Sequence, residues 1–221
     1  MNPQFGRQQQ VNGGLTLVEC LIAILVVNLG VAMLAAPLLM VAATRLRNDR
    51  INQATELARA EVDRLRVMME QGVEIRTTTT NVLPPASSVS ATIGQAALLS
   101  AQPPPNSLVD CFSSSNPLGL PTSATQACRR RLNNTEFAVQ VYRGQLSVNS
   151  ANLVLAYPVQ VRVYSAEAVP ITTTATTPIT QEPAAMTSSL VGAERRPLAV
   201  LTTEIIRSDS SETLCRLTNC S

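Results

Sequence analysis

The chain has 221 residues, of which 45% are hydrophobic and 14% charged, against a usual charged share of about 25%. It contains no His, and all 17 basic residues are Arg, which excludes a His base, a His metal ligand and a catalytic or phosphate-binding Lys. The net charge of +2 is too small to indicate nucleic-acid binding, so we expect no nucleic-acid partner.

The first element is a short polar leader, residues 1–12, followed by a string that runs directly into an apolar segment. The string is Gly13-Gly14-Leu15-Thr16-Leu17-Val18-Glu19-Cys20-Leu21. The 25 residues 20–44 then carry no charge. At about 1.5 Å each they span about 37 Å as a helix, enough to cross a hydrocarbon core of about 30 Å. We therefore predict a transmembrane helix over residues 15–44.

Two other N-terminal signals fit this segment less well. A secretory signal peptide has a shorter apolar region and a cleavage site between small residues, which is not found before the first arginines. A lipoprotein signal places small or apolar residues before its cysteine, whereas Glu19 precedes Cys20. A buried core helix is the third alternative, although such helices seldom run uncharged for so long.

The string and the apolar segment resemble the class III signal of type IV pilins and pseudopilins, usually Gly-Phe-Thr-Leu-Ile-Glu before a long apolar run. The resemblance implies that a prepilin peptidase cleaves between Gly14 and Leu15 and methylates the new amino group of Leu15. Residues 1–14 would then be a cleaved leader peptide. Leu15 stands where Phe is usual and keeps the apolar character. Pro37 lies near the usual position of a helix-kinking proline, which removes a backbone hydrogen bond.

Glu19 is the candidate residue for subunit assembly. A carboxylate at the edge of an apolar span is costly unless it has a partner. Cleavage after Gly14 creates an ammonium group four residues earlier, and neighbouring subunits carry the same group. Because opposite charges attract strongly at low dielectric, such a pair would fix the axial register of each subunit. The alternative is a glutamate at the level of the lipid headgroups with no further role.

Residues 45–72 are predicted to continue the helix as an amphipathic segment. Apolar residues recur there at steps of three and four: Ile51, Ala54, Ala58, Val62, Leu65 and Met69. Charged residues occupy the opposite face, and Gly72 is the expected end. We expect this half to pack its apolar stripe on a globular head. A coiled-coil stalk is the alternative, but no strict heptad repeat is sustained.

Residues 73–135 are predicted as an irregular connection rich in Pro, Thr and Ser. Prolines at 84, 85 and 103–105 interrupt helices and ladders. A short helix is expected near residues 94–100. In pilin-like proteins the region after the long helix is the variable one, so the resemblance implies that this connection shapes the exposed surface.

Residues 136–221 are predicted to form the antiparallel β-sheet of the head. Alternating apolar residues predict strands at 136–143, 153–164 and 198–207, with a turn at 149–152 and a surface loop at 171–187. Pro158 predicts a bulge or an edge position. The fold class is therefore α+β and pilin-like: a long N-terminal helix, membrane-spanning in its first half, packed on a small antiparallel sheet of three or four strands.

The five cysteines separate into one within the apolar span and four beyond it. Cys20 lies in the span and is expected to stay reduced. The other four permit three connectivities; we favour Cys111–Cys128 and Cys215–Cys220, because each pair is close in sequence. The second pair resembles the C-terminal disulfide loop of many pilins. Zinc is the alternative, but there is no C-x-x-C spacing and no His, so we expect no metal and no cofactor.

The predicted disulfides decide the expected topology. They require an oxidising compartment, which places the C-terminal head in the periplasm and makes the chain a single-pass inner-membrane protein. The positive-inside rule favours the opposite orientation, because Arg45, Arg47 and Arg50 follow the span. We give the disulfides more weight.

These features predict a structural subunit without catalytic residues. From Gly14 to Arg66 the chain looks most like the minor pseudopilins of the cyanobacterial hormogonium polysaccharide secretion system. The resemblance implies a subunit of a periplasmic or surface filament, like those of type II secretion or type IV pili, that supports polysaccharide secretion and gliding motility. Its implied partners are prepilin peptidase, other pilins and pseudopilins, the inner-membrane platform protein and the assembly ATPase.

Other functions stay open at this point. Within the same class, the chain is compatible with a minor pilin of a type IV pilus or a pseudopilin of type II protein secretion. From another class, it is compatible with a periplasmic enzyme or binding protein that keeps its signal anchor. Carboxylates for glycoside hydrolysis are available, but their spacing singles out no pair: Asp110, Glu136, Glu167, Glu204 and Asp209.

Overall fold

The structure of the protein is a computed structural model that describes residues 16–70, 75–76, 82–114, 116–170 and 196–207, with backbone only at 34–36. It has an α+β layout, with one long N-terminal helix, α1 (Leu17–Glu70), and a mixed β-sheet. The chain divides into two compact units, Met1–Leu46 and Arg47–Ser221. The expected end of the helix at Gly72 and the loop at 171–187 lie outside the described residues.

The predicted amphipathic stripe of α1 is confirmed. Ala54, Ala58, Val62, Leu65 and Met69 are each at most 3% exposed, while Ile51 at the start of the stripe is half-buried. The stripe shares one hydrophobic core with the apolar face of the sheet. The second half of α1 therefore forms part of the head, the compact unit Arg47–Ser221.

Within the described residues, six strands form the sheet. They are β1 (Ser107–Val109), β2 (Gln126–Leu132), β3 (Thr135–Arg143), β4 (Ser147–Val148), β5 (Val154–Ser165) and β6 (Ala199–Ile206). Their order is β1-β2-β3-β5-β4, and β6 also pairs with β5. The β1–β2 pair is parallel, whereas the other pairs are antiparallel. The prediction of a purely antiparallel sheet of three or four strands is therefore wrong.

Three strands were missed from the sequence: the two-residue β4, and β1 and β2, which lie inside the predicted irregular connection, residues 73–135. β1 is only three residues long, and β2 contains three consecutive arginines, so neither shows an alternation of apolar and polar residues. Their pairing comes from backbone hydrogen bonds to β3 and to each other. The short helix expected near residues 94–100 is present as a 3₁₀ helix, Ala96–Ala101.

Pro158 lies at neither of its two predicted positions, because it is not at an edge of the sheet and the strand register does not shift at this residue. It lies within the central strand β5 and is paired with Glu204 of β6. Its carbonyl accepts a hydrogen bond from the Gly144 N–H at 2.9 Å, between the residues of β5 that pair with β3 and those that pair with β4. The register irregularity is at Ser147 and Val148 of β4, not at Pro158. Proline is tolerated here because the partner strand changes at this point.

The two faces of the sheet have different chemistry. The face toward α1 is lined by valines and one phenylalanine: Phe137, Val139, Val141, Val159, Val161 and Val163. The opposite face carries polar side chains that are also buried, including Gln140, Gln160 and Arg162. Residues of the connection before β2 cover this second face, since Leu99 and Ala124 are buried against Tyr142.

Arg162 joins this cover to the sheet. Its guanidinium donates to the carbonyl oxygens of Gln102 at 2.7 Å, Ser100 at 2.8 Å and Leu99 at 3.1 Å. These carbonyls lie at the C-terminal end of the 3₁₀ helix, where a positive charge is favourable. Its Nε also donates to Oε1 of Gln160 at 3.0 Å. A fully buried cation thus satisfies the backbone of a segment that has little regular structure.

Replacing Arg162 by Met should destabilise the fold, because three carbonyl groups lose their donor while most of the side-chain volume is kept. We expect urea unfolding of the full chain in detergent micelles to show a loss of about 3 kcal/mol. Arg66→Met is the matched control, since Arg66 is half-exposed and its ion pair with Asp63 is long, 3.5 Å. We expect that control to stay within about 0.5 kcal/mol of the wild type. Equal losses in both variants would contradict the role given to Arg162.

The three tyrosines of the chain predict a stability loss at high pH. Tyr142, Tyr157 and Tyr164 are all buried, and burial raises the pKa of each, for Tyr164 to about 12 from the usual 10.0. The unfolded chain loses these protons at a lower pH than the folded chain. The contribution of these three buried hydroxyl groups to the free energy of unfolding is therefore fully present below about pH 10. It is lost progressively as the pH rises toward 12.

We expect the melting temperature of the full chain to fall steeply across this interval, with tyrosinate absorbance appearing together with unfolding. Tyrosinate absorbance that appears near pH 10 while the chain is still folded would contradict the burial of these hydroxyl groups.

Candidate functional site

The first half of α1 exposes a continuous apolar surface. From Leu17 to Val41, every large hydrophobic side chain that the structure describes is more than half exposed, from 52% at Val41 to 78% at Leu17. Of the helices in the described part of the chain, α1 is the one with a stretch long and apolar enough to cross a membrane. Exposed apolar surface of this extent indicates a binding or membrane-contacting element rather than a water-exposed helix.

Thr16 and Glu19 form the N-terminal cap of this helix. The Glu19 N–H donates to the carbonyl oxygen of Thr16 at 3.0 Å and lies 3.3 Å from its Oγ1, and the Cys20 N–H donates to the same carbonyl at 3.1 Å. Thr-x-x-Glu is the capping-box spacing, and a carboxylate in the first turn also interacts favourably with the helix dipole. Glu19 therefore has a local role in addition to the predicted assembly role.

The other residues predicted at the N-terminal site have different outcomes. Gly14 and Leu15 lie outside the described residues, so cleavage and methylation stay predictions. Pro37 lies within α1, which continues on both sides of it, and the predicted kink stays a prediction. Glu19 is exposed on the first turn of α1, and its assembly role stays a prediction.

The predicted Cys111–Cys128 disulfide is present, and it joins the chain just after β1 to β2. Both cysteines are buried, with 5% and 1% exposed. Cys20 is a free cysteine, exposed on α1. The second predicted pair, Cys215–Cys220, lies outside the described residues.

An ionic cluster that the sequence did not predict attaches α1 to β2. Glu61 is buried, and its Oε1 accepts a hydrogen bond from Nε of Arg130 at 2.7 Å. Its Oε2 forms a 2.9 Å ion pair with Arg64, whose pKa is lowered by burial. Arg130 also stacks on the Phe112 ring, 4.4 Å from its centroid. The residues of this cluster come from distant parts of the sequence. The one local signal is that side chains alternate between the two faces of a strand, which places Arg130 on the opposite face from Arg129 and Arg131.

Three of the five carboxylates considered for an enzyme, Asp110, Glu136 and Glu204, are engaged in structural contacts. Arg129 lies between Asp110 at 3.3 Å and Glu136 at 2.9 Å. A hydrogen bond from Arg131 holds the pKa of Glu136 below its usual range. Glu204 accepts the Gly94 N–H at 2.6 Å. Glu167 lies in a short 3₁₀ helix, Ala166–Ala168, and Asp209 lies outside the described residues.

Metal ligands do not gather anywhere in the described ranges, where no group of three His, Cys, Asp or Glu residues is present. The chain matches no protein family, no curated protein and no solved structure. Function is therefore inferred from the residues and their geometry. The most distinctive geometry is the exposed apolar half of α1 with Glu19 at its start.

Removing the disulfide should weaken the head. The Cys111→Ser, Cys128→Ser double variant loses a cross-link between residues 17 positions apart, and we expect a loss of about 3 kcal/mol in urea unfolding of the full chain. Cys20→Ser is the control, because this cysteine forms no disulfide, and its unfolding curve should match the wild type. An unchanged midpoint in the double variant would contradict a stabilising cross-link.

Proposed function

We propose that the chain is a pilin-like structural subunit, held in the inner membrane by the first half of α1 and carrying its head in the periplasm. One observation supports this most strongly. Helix α1 begins within the string Gly14 to Glu19, is apolar and exposed in its first half, and buries one apolar stripe of its second half against a sheet. The Cys111–Cys128 disulfide supports a head in an oxidising compartment.

The same apolar surface serves two environments in this proposal. Before assembly it contacts lipid tails, and after assembly it contacts the corresponding helices of neighbouring subunits. Because lipid tails and apolar side chains are similar in polarity, the exchange has little hydrophobic cost, and close packing decides it. This explains why the first half of the helix is apolar on all sides, whereas the second half has a single apolar stripe.

Processing prepares the subunit for assembly. A prepilin peptidase, which is a separate protein, cleaves after Gly14 and methylates the amino group of Leu15. Glu19 then pairs with the new ammonium group of a neighbouring subunit. The pairing removes the cost of a carboxylate in apolar surroundings and sets the axial position of the subunit. The platform protein and the assembly ATPase supply the work of extraction.

The finer assignment rests on the resemblance that the segment from residue 14 to residue 66 shows to minor pseudopilins. This resemblance supports a filament that serves polysaccharide secretion and gliding motility. A minor pilin of a type IV pilus, or a pseudopilin of type II protein secretion, would use the same anchor and the same glutamate. The test of the proposal therefore concerns the shared step, which is assembly through Glu19.

Variants of Glu19 separate its charge from its capping role. Glu19→Gln keeps a capping-box side chain but removes the charge, whereas Glu19→Ala removes both. If the charge pair drives assembly, both variants should be processed and inserted, and both should be depleted about tenfold or more in the purified filament fraction, as for a loss of about 1.4 kcal/mol. Immunoblots of membrane and filament fractions measure this.

Gly14→Ala serves as the control for the ammonium group. This variant should keep its leader, lack the free amine of Leu15 and be excluded from filaments although Glu19 is intact. Normal assembly of Glu19→Gln together with failure of Glu19→Ala would show that capping is the role of the residue and that the charge pair is wrong.

A further inference from the structure

Asn28 is the one amide side chain in the uncharged stretch of residues 20–44. It is exposed on α1. It lies eight positions after Cys20, a distance of about 12 Å along the helix axis. In a helix that crosses a hydrocarbon core of about 30 Å, this places the amide well inside the apolar layer.

Two hydroxyl side chains on either side of Asn28 are hydrogen-bonded within the helix, in contrast to the Asn28 amide. The Thr44 hydroxyl donates to the carbonyl oxygen of Met40 at 2.8 Å, and the Thr16 hydroxyl lies against the Glu19 N–H. Asn28 takes part in neither of these hydrogen bonds. An amide without a partner in hydrocarbon costs several kcal/mol, so it strongly favours any arrangement that supplies a donor and an acceptor.

We propose that two copies of the chain associate in the membrane through the first halves of their α1 helices, in parallel, with a hydrogen bond between the two Asn28 amides. This inference rests on the proposed function only in that α1 crosses the membrane. An amide has both a donor and an acceptor, so an identical amide can satisfy it. Copies inserted in the same direction bring their Asn28 residues to the same depth. Another protein would need its own polar residue at that depth.

The positions around Asn28 fit a parallel two-helix contact. Steps of three and four residues from Asn28 give a seam of large apolar residues: Leu17, Leu21, Ile24, Val31 and Leu38. A single Asn within such an apolar seam fixes the register and favours two strands. The opposite face of the helix carries Val26 and Met33.

Asn28 and Glu19 lie on opposite faces of α1. Nine residues separate them, and at about 100° per residue this corresponds to two and a half turns. Pairing through Asn28 therefore leaves Glu19 accessible. The two interactions are independent, so a subunit paired in the membrane keeps the carboxylate that the proposed assembly step requires.

Cysteine cross-linking in native membrane vesicles tests the pairing with the full chain. In a Cys20→Ala background, single cysteines are placed on the seam (Ile24→Cys or Val31→Cys) or on the opposite face (Val26→Cys or Met33→Cys). Mild oxidation should give a dimer of two copies from the seam cysteines at least fivefold more than from the opposite face. The background without an introduced cysteine gives the baseline from the remaining cysteines.

The same cross-linking with Asn28 changed shows whether the amide holds the pair. Asn28→Val should reduce the seam dimer about fivefold, the factor that corresponds to about 1 kcal/mol, and Asn28→Gln should restore most of it. Equal cross-linking from both faces, or a seam dimer that is unchanged in Asn28→Val, would overturn the proposal. A seam product with a different protein would overturn it as well.

Alkaline extraction of the same vesicles separates the pairing from the membrane location. If every variant stays in the membrane pellet and the seam cysteines do not cross-link, the pairing is wrong and the proposed function is untouched. If the wild-type chain is released by alkali, the membrane anchor is wrong, and the proposed function and the pairing fail together.

Discussion

The apolar stripe of α1, packed on the valine-lined face of the sheet, is the contact on which the rest of the structure depends. Burial of a side chain such as Val62, Leu65 or Met69 contributes about 1.5–3 kcal/mol. The stripe fixes the second half of the helix to the head, while the large apolar side chains that the structure describes between Leu17 and Val41 are exposed. In the proposed function, lipid or the helices of neighbouring subunits cover these side chains.

The sheet is covered on both faces. Helix α1 packs on one face, and a separate segment covers the other. The connection before β2 supplies that cover, and buried polar groups rather than apolar packing alone hold it in place. Arg162 donates to the end of the 3₁₀ helix, and Gln140 donates to the carbonyl oxygens of Pro103 and Ala124 at 2.9 and 2.7 Å. The Cys111–Cys128 disulfide and the Glu61–Arg130 pair connect the cover and the helix to β2.

Local patterns in the sequence were enough to predict the stripe of α1, the three main strands and the Cys111–Cys128 pair. These features depend on periodicities of a few residues or on cysteines close in sequence. The buried role of Arg162 could not be predicted in this way, because its partners lie about 60 residues earlier and its position in the alternation is typical of an exposed face. β2 was missed for a related reason, since its three arginines suggest a solvent-exposed loop until the pairing with β3 is known.

The candidate site shows the same division. The string before the apolar segment resembles a class III signal in its residues, and the cleavage and assembly that this implies stay predictions. The same residues contain the capping spacing of Thr16 and Glu19, which the structure shows as a hydrogen-bonded helix start. The proposed pairing of Glu19 with a neighbouring ammonium group would involve a second subunit, so the structure of a single chain does not test it.

Cleavage between Gly14 and Leu15 is the step on which the proposed function depends most directly. The decisive measurement is the intact mass of the wild-type chain extracted from membranes of cells that produce a prepilin peptidase. We predict the mass of residues 15–221, which is 207 residues, with one added methyl group at the N-terminus. Recovery of the full 221-residue chain, or of a chain cut beyond Thr44 so that the apolar segment is lost, would contradict it.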